Sequence, residues 1–294
     1  MCAFSLKNII GDTSVQELLN NPKKAREVAS RAINSGFNEL ESKRPDLAKG
    51  HVCCTVPITG RSHVVACSED EEKALGEEAF DEEKGCYRTI SDTHYSKVLE
   101  SCANGLIAAA TEVQYDWAFA LFDSRTQNAF CCPGGKIGVY LGLMEIMRNE
   151  AELAAVVAHE IAHALARHYA EKAALRKAVS IGSEELHNRG NEGSARLLSG
   201  AGGKLGIMLP FSRSMEYEAD EIGMILMARA GYNPAAAIEF WERFGSNRHT
   251  STLNGILSTH PRDDDRLNAM KKVLPTAMQI YETAAEKRYY GATL

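Results

Sequence analysis

The most apolar stretch of the chain runs from Leu153 to Ala166 and reads LAAVVAHEIAHALA, with His159, Glu160 and His163 as its polar side chains. A helix that is apolar on every face is one that a fold buries all round. Met215 to Ala230 carries a second strong helical pattern that stops at Gly231, and Asn233-Pro234 then supplies an N-cap and a first-turn proline for another helix. Helical periodicity also covers Ser14 to about Ser42 with a break at Pro22, and His94 to Thr111. Ser68 precedes the acidic run Glu69-Asp-Glu-Glu72, an N-cap and first turn suited to the helix dipole. Two last helices are predicted over Asp263 to Lys272 and Thr276 to about Arg288.

Short strands punctuated by turns are predicted at Val52 to Val56, Trp117 to Phe122, Asn128 to Phe130 and Ile137 to Tyr140, with a turn at Pro133-Gly-Gly135. The sum is an α+β chain, mostly α, with a small β-sheet. Residues 1–50 read as a helical N-terminal extension and residues 51–294 as the main domain. The glycine-rich stretch Ile181 to Arg213 is either a lid over a site or a plain connector.

Composition narrows the function classes. At 294 residues and 45% hydrophobic content the chain can build a sizeable core, and 24% charged residues with a net charge of -6 argue against both disorder and an electrostatic grip on nucleic acid. No run approaches the roughly 20 apolar residues of a membrane helix, so no integral membrane segment is expected. The first thirty residues lack the apolar core of a secretory signal, and the chain as written reads as cytoplasmic. Met1-Cys2 leaves open a periplasmic or organellar protein whose signal was removed. The scattered cysteines, with adjacent pairs at Cys53-Cys54 and Cys131-Cys132 and no C-x-x-C, fit thiols in a reducing compartment better than a disulfide framework.

Two histidines and a glutamate in an otherwise apolar helix cost several kcal/mol unless something compensates them. His159 and His163, four residues apart, share a helix face and can both reach one cation at about 2.0–2.1 Å. Glu160, one residue round, lies beside such a metal, where a general base for an activated water belongs. The competing reading is a pair of core histidines bonded to backbone, with Glu160 in an ion pair. A catalytic zinc takes three protein ligands, and the next strong helix offers Glu216 and Asp220 on its inward stripe, with Glu218 and Glu221 on other sides. Glu216 is the candidate third ligand and Asp220 the acceptor for the far N–H of a zinc histidine. Alternatively, both acids form surface ion pairs with Arg213.

The residues together resemble the HExxH metallopeptidases that include the CAAX prenyl protease, the mitochondrial inner-membrane stress protease and bacterial periplasmic quality-control proteases. The resemblance rests on Val56-Pro-Ile-Thr-Gly-Arg61, Asn128-Ala-Phe130 with Pro133-Gly-Gly135, His159-Glu-Ile-Ala-His163, Ser212-Arg213, Glu216-Tyr-Glu-Ala-Asp220 and Thr259-His-Pro261. It implies a zincin-like fold, one zinc ion per chain on His159, His163 and Glu216, Glu160 as catalytic base and Asp220 as orienting acid. It further implies a sheet edge that receives the substrate backbone, for which Asn128, Ala129 and Phe130 are the candidates; Asn128 alternatively only shapes a turn. His260 has three readings: a donor to the oxyanion of the tetrahedral intermediate, a fourth zinc ligand in a latent enzyme, or a surface loop residue. The expected activity is endopeptidase cleavage of extended or unfolded polypeptide, against the alternative of a zinc-containing chaperone or binding protein with little turnover. Glu160 favours the enzyme, because a structural zinc has no use for a base.

Overall fold

The computed structural model of the protein describes residues 52–65, 67–174, 211–246, 255–256, 260 and 264–294. The N-terminal extension and residues 181–210 of the glycine-rich stretch lie outside the described residues. The chain divides into two compact units, one of Met1–Ser68 with Ala170–Gly202, the other of Glu69–Tyr169 with Gly203–Leu294.

In the first unit, β1 (Val52–Thr55) and β2 (Ser62–Val65) pair antiparallel, with Val52 opposite Val65 and Thr55 opposite Ser62. The predicted extended stretch is β1; β2 was not anticipated. The motif Val56-Pro-Ile-Thr-Gly-Arg61 is the connecting turn, closed by hydrogen bonds from Val56 N to Arg61 O (2.7 Å) and from Gly60 N to Val56 O (3.0 Å). Glu171 receives both guanidinium nitrogens of Arg61 at 2.8 and 2.6 Å and lies 2.9 Å from His63 Nδ1. Burial alone would raise the Glu171 pKa, but hydrogen bonds from Arg61 and His63 and their charges bring it down to about 2. A carboxylate whose pKa falls on folding contributes stability above its unfolded value, and that contribution is lost as pH drops toward the folded one. Wild type is therefore expected to lose at most about 3 kcal/mol more than Glu171→Gln between pH 5 and pH 2, read from unfolding free energies at each pH. Parallel pH profiles for the two proteins would contradict this.

The second unit is built around α4 (Glu150–Leu165), every residue of which is buried. Asn149 caps it, its side chain accepting from Glu152 N at 3.0 Å. The next two free donors of the first turn are satisfied from the far end of the chain, Glu150 N by Ala292 O (2.8 Å) and Ala151 N by Tyr290 O (3.0 Å). Around α4 stand α2 (His94–Ala109), α5 (Arg213–Arg229), α6 (Ala235–Ser246) and a small sheet. The Thr93 capping box starts α2, and the Ser212 hydroxyl accepts from Met215 N to start α5. At Gly223 on α5 a Cβ would stand 3.1 Å from His159 N and 3.3 Å from Ala158 C, so the missing side chain is what lets α5 approach the α4 backbone.

The sheet has order β3-β5-β4, with β3 (Ala118–Phe122) parallel and β4 (Ala129–Cys132) antiparallel to the central β5 (Lys136–Tyr140). Gly134 and Gly135, both at positive φ, make the β4–β5 turn anticipated at Pro133-Gly-Gly135. A short α3 (Leu141–Met144) follows β5, and the acidic-start helix is α1 (Glu69–Cys86). The architecture is the mostly α, α+β fold expected.

The last helices differ from the expectation, and the helical stretch stops at Thr283, short of Arg288. Asp264–Thr283 is a single helix, α7, with Pro275 inside it rather than between two helices. Proline removes one helical hydrogen bond and crowds the carbonyl four residues back. Pro275 and Lys271 lie on the exposed side, where water can serve that carbonyl, while Leu267, Met270, Ala277 and Tyr281 anchor the buried side on both flanks of the break.

Candidate metal centre

His159 and His163 lie one turn apart on α4, and their rings meet edge to face with centroids 4.7 Å apart and Nε2 atoms 3.1 Å apart. From α5, Glu216 brings Oε2 to 3.4 Å from His159 Nε2 and Oε1 to 3.5 Å from His163 Nε2. His260, just ahead of α7, places Nδ1 3.2 Å from His159 Nε2 and 3.1 Å from Glu216 Oε1. All four side chains are buried, and their donor atoms lie within 4.8 Å of one another. Phe211 stacks on the His163 ring at 4.0 Å and 19°, fixing its plane.

This set fits a metal ion on two counts. Ligands held tetrahedrally at 2.0–2.1 Å are spaced by about 3.3–3.4 Å, and the separations above scatter around that value. The charges agree as well. Burial opposes charge on His260, yet the carboxylates of Glu160 and Glu216 outweigh it and raise its pKa to about 10, so the pocket is set to hold positive charge. Burial drives His163 well below its usual value and keeps it in the neutral form that ligates metals.

Acidic and basic groups around the donors hold them in place. Asp220 Oδ1 lies 2.9 Å from His159 Nδ1, on the side of the ring away from the donor cluster. Arg266, in the first turn of α7, grips Asp220 with Nε and Nη2 at 2.9 and 2.8 Å and places Nη1 2.9 Å from Glu216 Oε2. Its guanidinium lies over the Trp241 ring at 5.0 Å. Burial would raise the Asp220 pKa, but Arg266 and His159 outweigh it and keep the acid below its usual value. Glu160, itself outside the donor set, places Oε1 3.1 Å from His260 Nε2.

The structure thus brings together His159, Glu160, His163, Glu216, Asp220 and His260. Glu216 and Asp220 are 1% and 4% exposed, which removes the alternative of surface ion pairs. His260 is buried rather than on the surface. Glu218 corrects the helix-stripe reading: it is buried too, and its Oε2 lies 3.1 Å from Nε2 of His168. α5 is buried along most of its girth, so one inward stripe underestimates what it buries. His168 and Arg266 were not anticipated. Arg266 sits in the charged run Asp263-Asp-Asp-Arg266, which reads as a solvated face, and His168 follows the helix end, where periodicity carries no signal.

Ala129 and Phe130 lie in β4, an edge strand that packs against α4, and Asn128 immediately precedes it. Tyr140 N donates to Asn128 O, so Asn128 faces β5, and by strand alternation Gln127 and Ala129 direct their backbone groups to the open side. Gln127 O accepts there from Ile256 N at 2.8 Å. The Asn128 Oδ1 atom is buried with no hydrogen-bond partner among the described residues. At the end of β4, burial, then Glu83 and Glu160, push the Cys132 thiol up to about 12, so the thiol stays protonated at neutral pH.

Residues 92–274 match the model of peptidase family M48. The chain belongs to this family. Over 237 residues it is 35% identical to the mitochondrial metalloendopeptidase OMA1 of Schizosaccharomyces pombe, covering 78% of this chain and 68% of that protein. The Arabidopsis thaliana OMA1 is 38% identical over 167 residues, 56% of this chain and 33% of the relative. A β-barrel assembly-enhancing protease from Escherichia coli K12 is 30% identical over 242 residues, 78% of this chain, and the chain spans half the length of that relative. As an M48 member this chain is a metalloendopeptidase that requires a metal ion and acts on polypeptide. Among the described residues no helix is long and apolar enough to cross a membrane. The cytoplasmic expectation finds no support, since the OMA1 relatives are named as mitochondrial.

Proposed function

We propose that this M48 protein is a zinc-dependent endopeptidase cleaving extended or unfolded polypeptide in an organellar or periplasmic compartment. The observation that carries the reading is Glu160: a carboxylate buried beside three imidazoles and Glu216 without belonging to the donor set. His159, His163 and Glu216 would hold one zinc ion per chain, with Asp220 fixing the His159 ring. When bound, zinc supplies the Lewis acidity that activates water and polarises the scissile carbonyl. Glu160 takes the proton from the attacking water and delivers it to the leaving amide nitrogen. Ala129, with Asn128 and Phe130 on either side, offers the open edge of β4 to an extended substrate, whose backbone pairs there without demanding a particular sequence.

The purified protein is expected to hold one zinc by elemental analysis and to cleave casein in a chelator-sensitive way. Glu216→Ala is expected to lose most of that metal, and an equal zinc affinity in the variant would remove Glu216 from the ligand set.

His260 is assigned as donor to the oxyanion, on the strength of Nε2 facing Glu160 at the reacting centre. His260→Ala is then expected to lower kcat by about two orders of magnitude. One observation favours a second role: Nδ1 stands where a fourth ligand would, 3.1 Å from Glu216 Oε1 and 3.2 Å from His159 Nε2. A fourth protein ligand would close the position that water needs. Increased peptidase activity in His260→Ala would establish that inhibitory role instead.

A further inference from the structure

His168 is fully buried, and its ring stands between His163 and Glu218. Its Nδ1 lies 2.8 Å from Nδ1 of His163, and its Nε2 lies 3.1 Å from Oε2 of Glu218. A local feature places it there. After α4 ends at Leu165, Arg167 adopts φ +51°, a left-handed conformation uncommon for a residue with a side chain, and a new helical stretch begins at His168. Arg167 is held in that turn by Glu72, whose Oε2 lies 2.5 Å from its Nη2.

The protons along this line have one consistent arrangement. His163 directs Nε2 at the donor cluster, so its neutral ring carries the proton on Nδ1 and donates it toward His168. His168 must then present a lone pair at Nδ1, which puts its own proton on Nε2, where the Glu218 carboxylate accepts it. The line runs from ligand to imidazole to carboxylate, and every buried polar atom along it has a partner. His159 is braced differently, by Asp220 directly.

We propose that His168 and Glu218 are positioning residues for the metal, orienting His163 and strengthening it as a ligand through a two-residue hydrogen-bonded relay. The proposal rests on the reading of His163 as a zinc ligand. The relay does not touch substrate. Its work is to hold the His163 ring in the right tautomer and rotation, which raises the basicity of the ligating nitrogen.

Two measurements test it on the full chain. In zinc-loaded protein labelled with ¹⁵N-histidine, His168 is expected as the Nε2–H tautomer and His163 as the Nδ1–H tautomer. A proton on Nδ1 of His168 overturns the relay, whatever the variants do. In His168→Ala, zinc affinity measured by chelator competition is expected to fall about 10–100-fold, the size of effect that losing such a partner has in other sites. Glu218→Gln keeps an acceptor of the same shape without its charge, and a smaller loss of affinity is expected. A merely structural role would lower the unfolding temperature and leave zinc affinity and tautomer unmoved, and that result overturns the proposal. The outcomes separate from those of the underlying reading: wild type that binds no zinc defeats both, whereas zinc-binding wild type with equally tight His168→Ala defeats the relay alone.

Discussion

Glu160→Gln is expected to retain one zinc per chain and to lose about a thousandfold in turnover. The substitution exchanges one oxygen for an amide nitrogen in a side chain that is 1% exposed, and it leaves His159, His163 and Glu216 untouched. An amide cannot take up the proton of the attacking water at neutral pH, so the loss falls on kcat while metal and peptide still bind. Elemental analysis gives the zinc, and cleavage of an unfolded protein gives the rate. Undiminished turnover in the variant would sink the assignment of Glu160 as base. Loss of both metal and activity would place Glu160 among the groups that hold the site together.

Arg266→Met is expected to cost about 3–5 kcal/mol of folding stability, because it takes from buried Asp220 and Glu216 the guanidinium that contacts both. Arg266 spans Asp220 and Glu216 at 2.8–2.9 Å and sits over Trp241, so its charge is shared by two acids from the same face of α5. A planar guanidinium can satisfy both at once. Arg266→Lys, with a single compact ammonium, is expected to recover only part of the loss. The penalty for Arg266→Met is expected to shrink when zinc is added, since a bound cation compensates Glu216 independently. Urea unfolding with and without zinc reads both quantities, and a destabilisation below about 1 kcal/mol would show that the network matters little to the fold.

Among these groups, those on α4 were readable as a line of letters. His159, Glu160 and His163 lie within one turn of a helix whose apolar character declares its burial, and Glu216 and Asp220 are again four apart on a helix. Residues separated by four positions share a face wherever the helix ends up, so their convergence is a property of local geometry. β1, β3, β4 and β5 and the helical spans of α2 and α5 were legible for the same reason: they depend on alternation, periodicity and turn residues within a few positions. Pro275 was misjudged because a rule about local hydrogen bonding was applied where long-range packing on both flanks outweighs one missing bond.

Arg266, His168 and Glu218 belong to a different order of information. Arg266 lies 46 residues from the acid it grips, and Glu218 lies 50 from the histidine it meets. Nothing in the charged run at the start of α7 distinguishes a guanidinium that will be 3% exposed from one left in water. The sequence by itself determined the fold class and the candidate donors on α4 and α5, because those follow from spacing along single elements. Only the tertiary structure decided which cation neutralises Asp220 and Glu216, which imidazole braces His163, and that His260 joins the donor cluster. Such partners are chosen by how helices pack, and at Gly223, where an added Cβ would stand only 3.1 Å from His159 N, the lack of a side chain is what permits the close packing of α5 on α4.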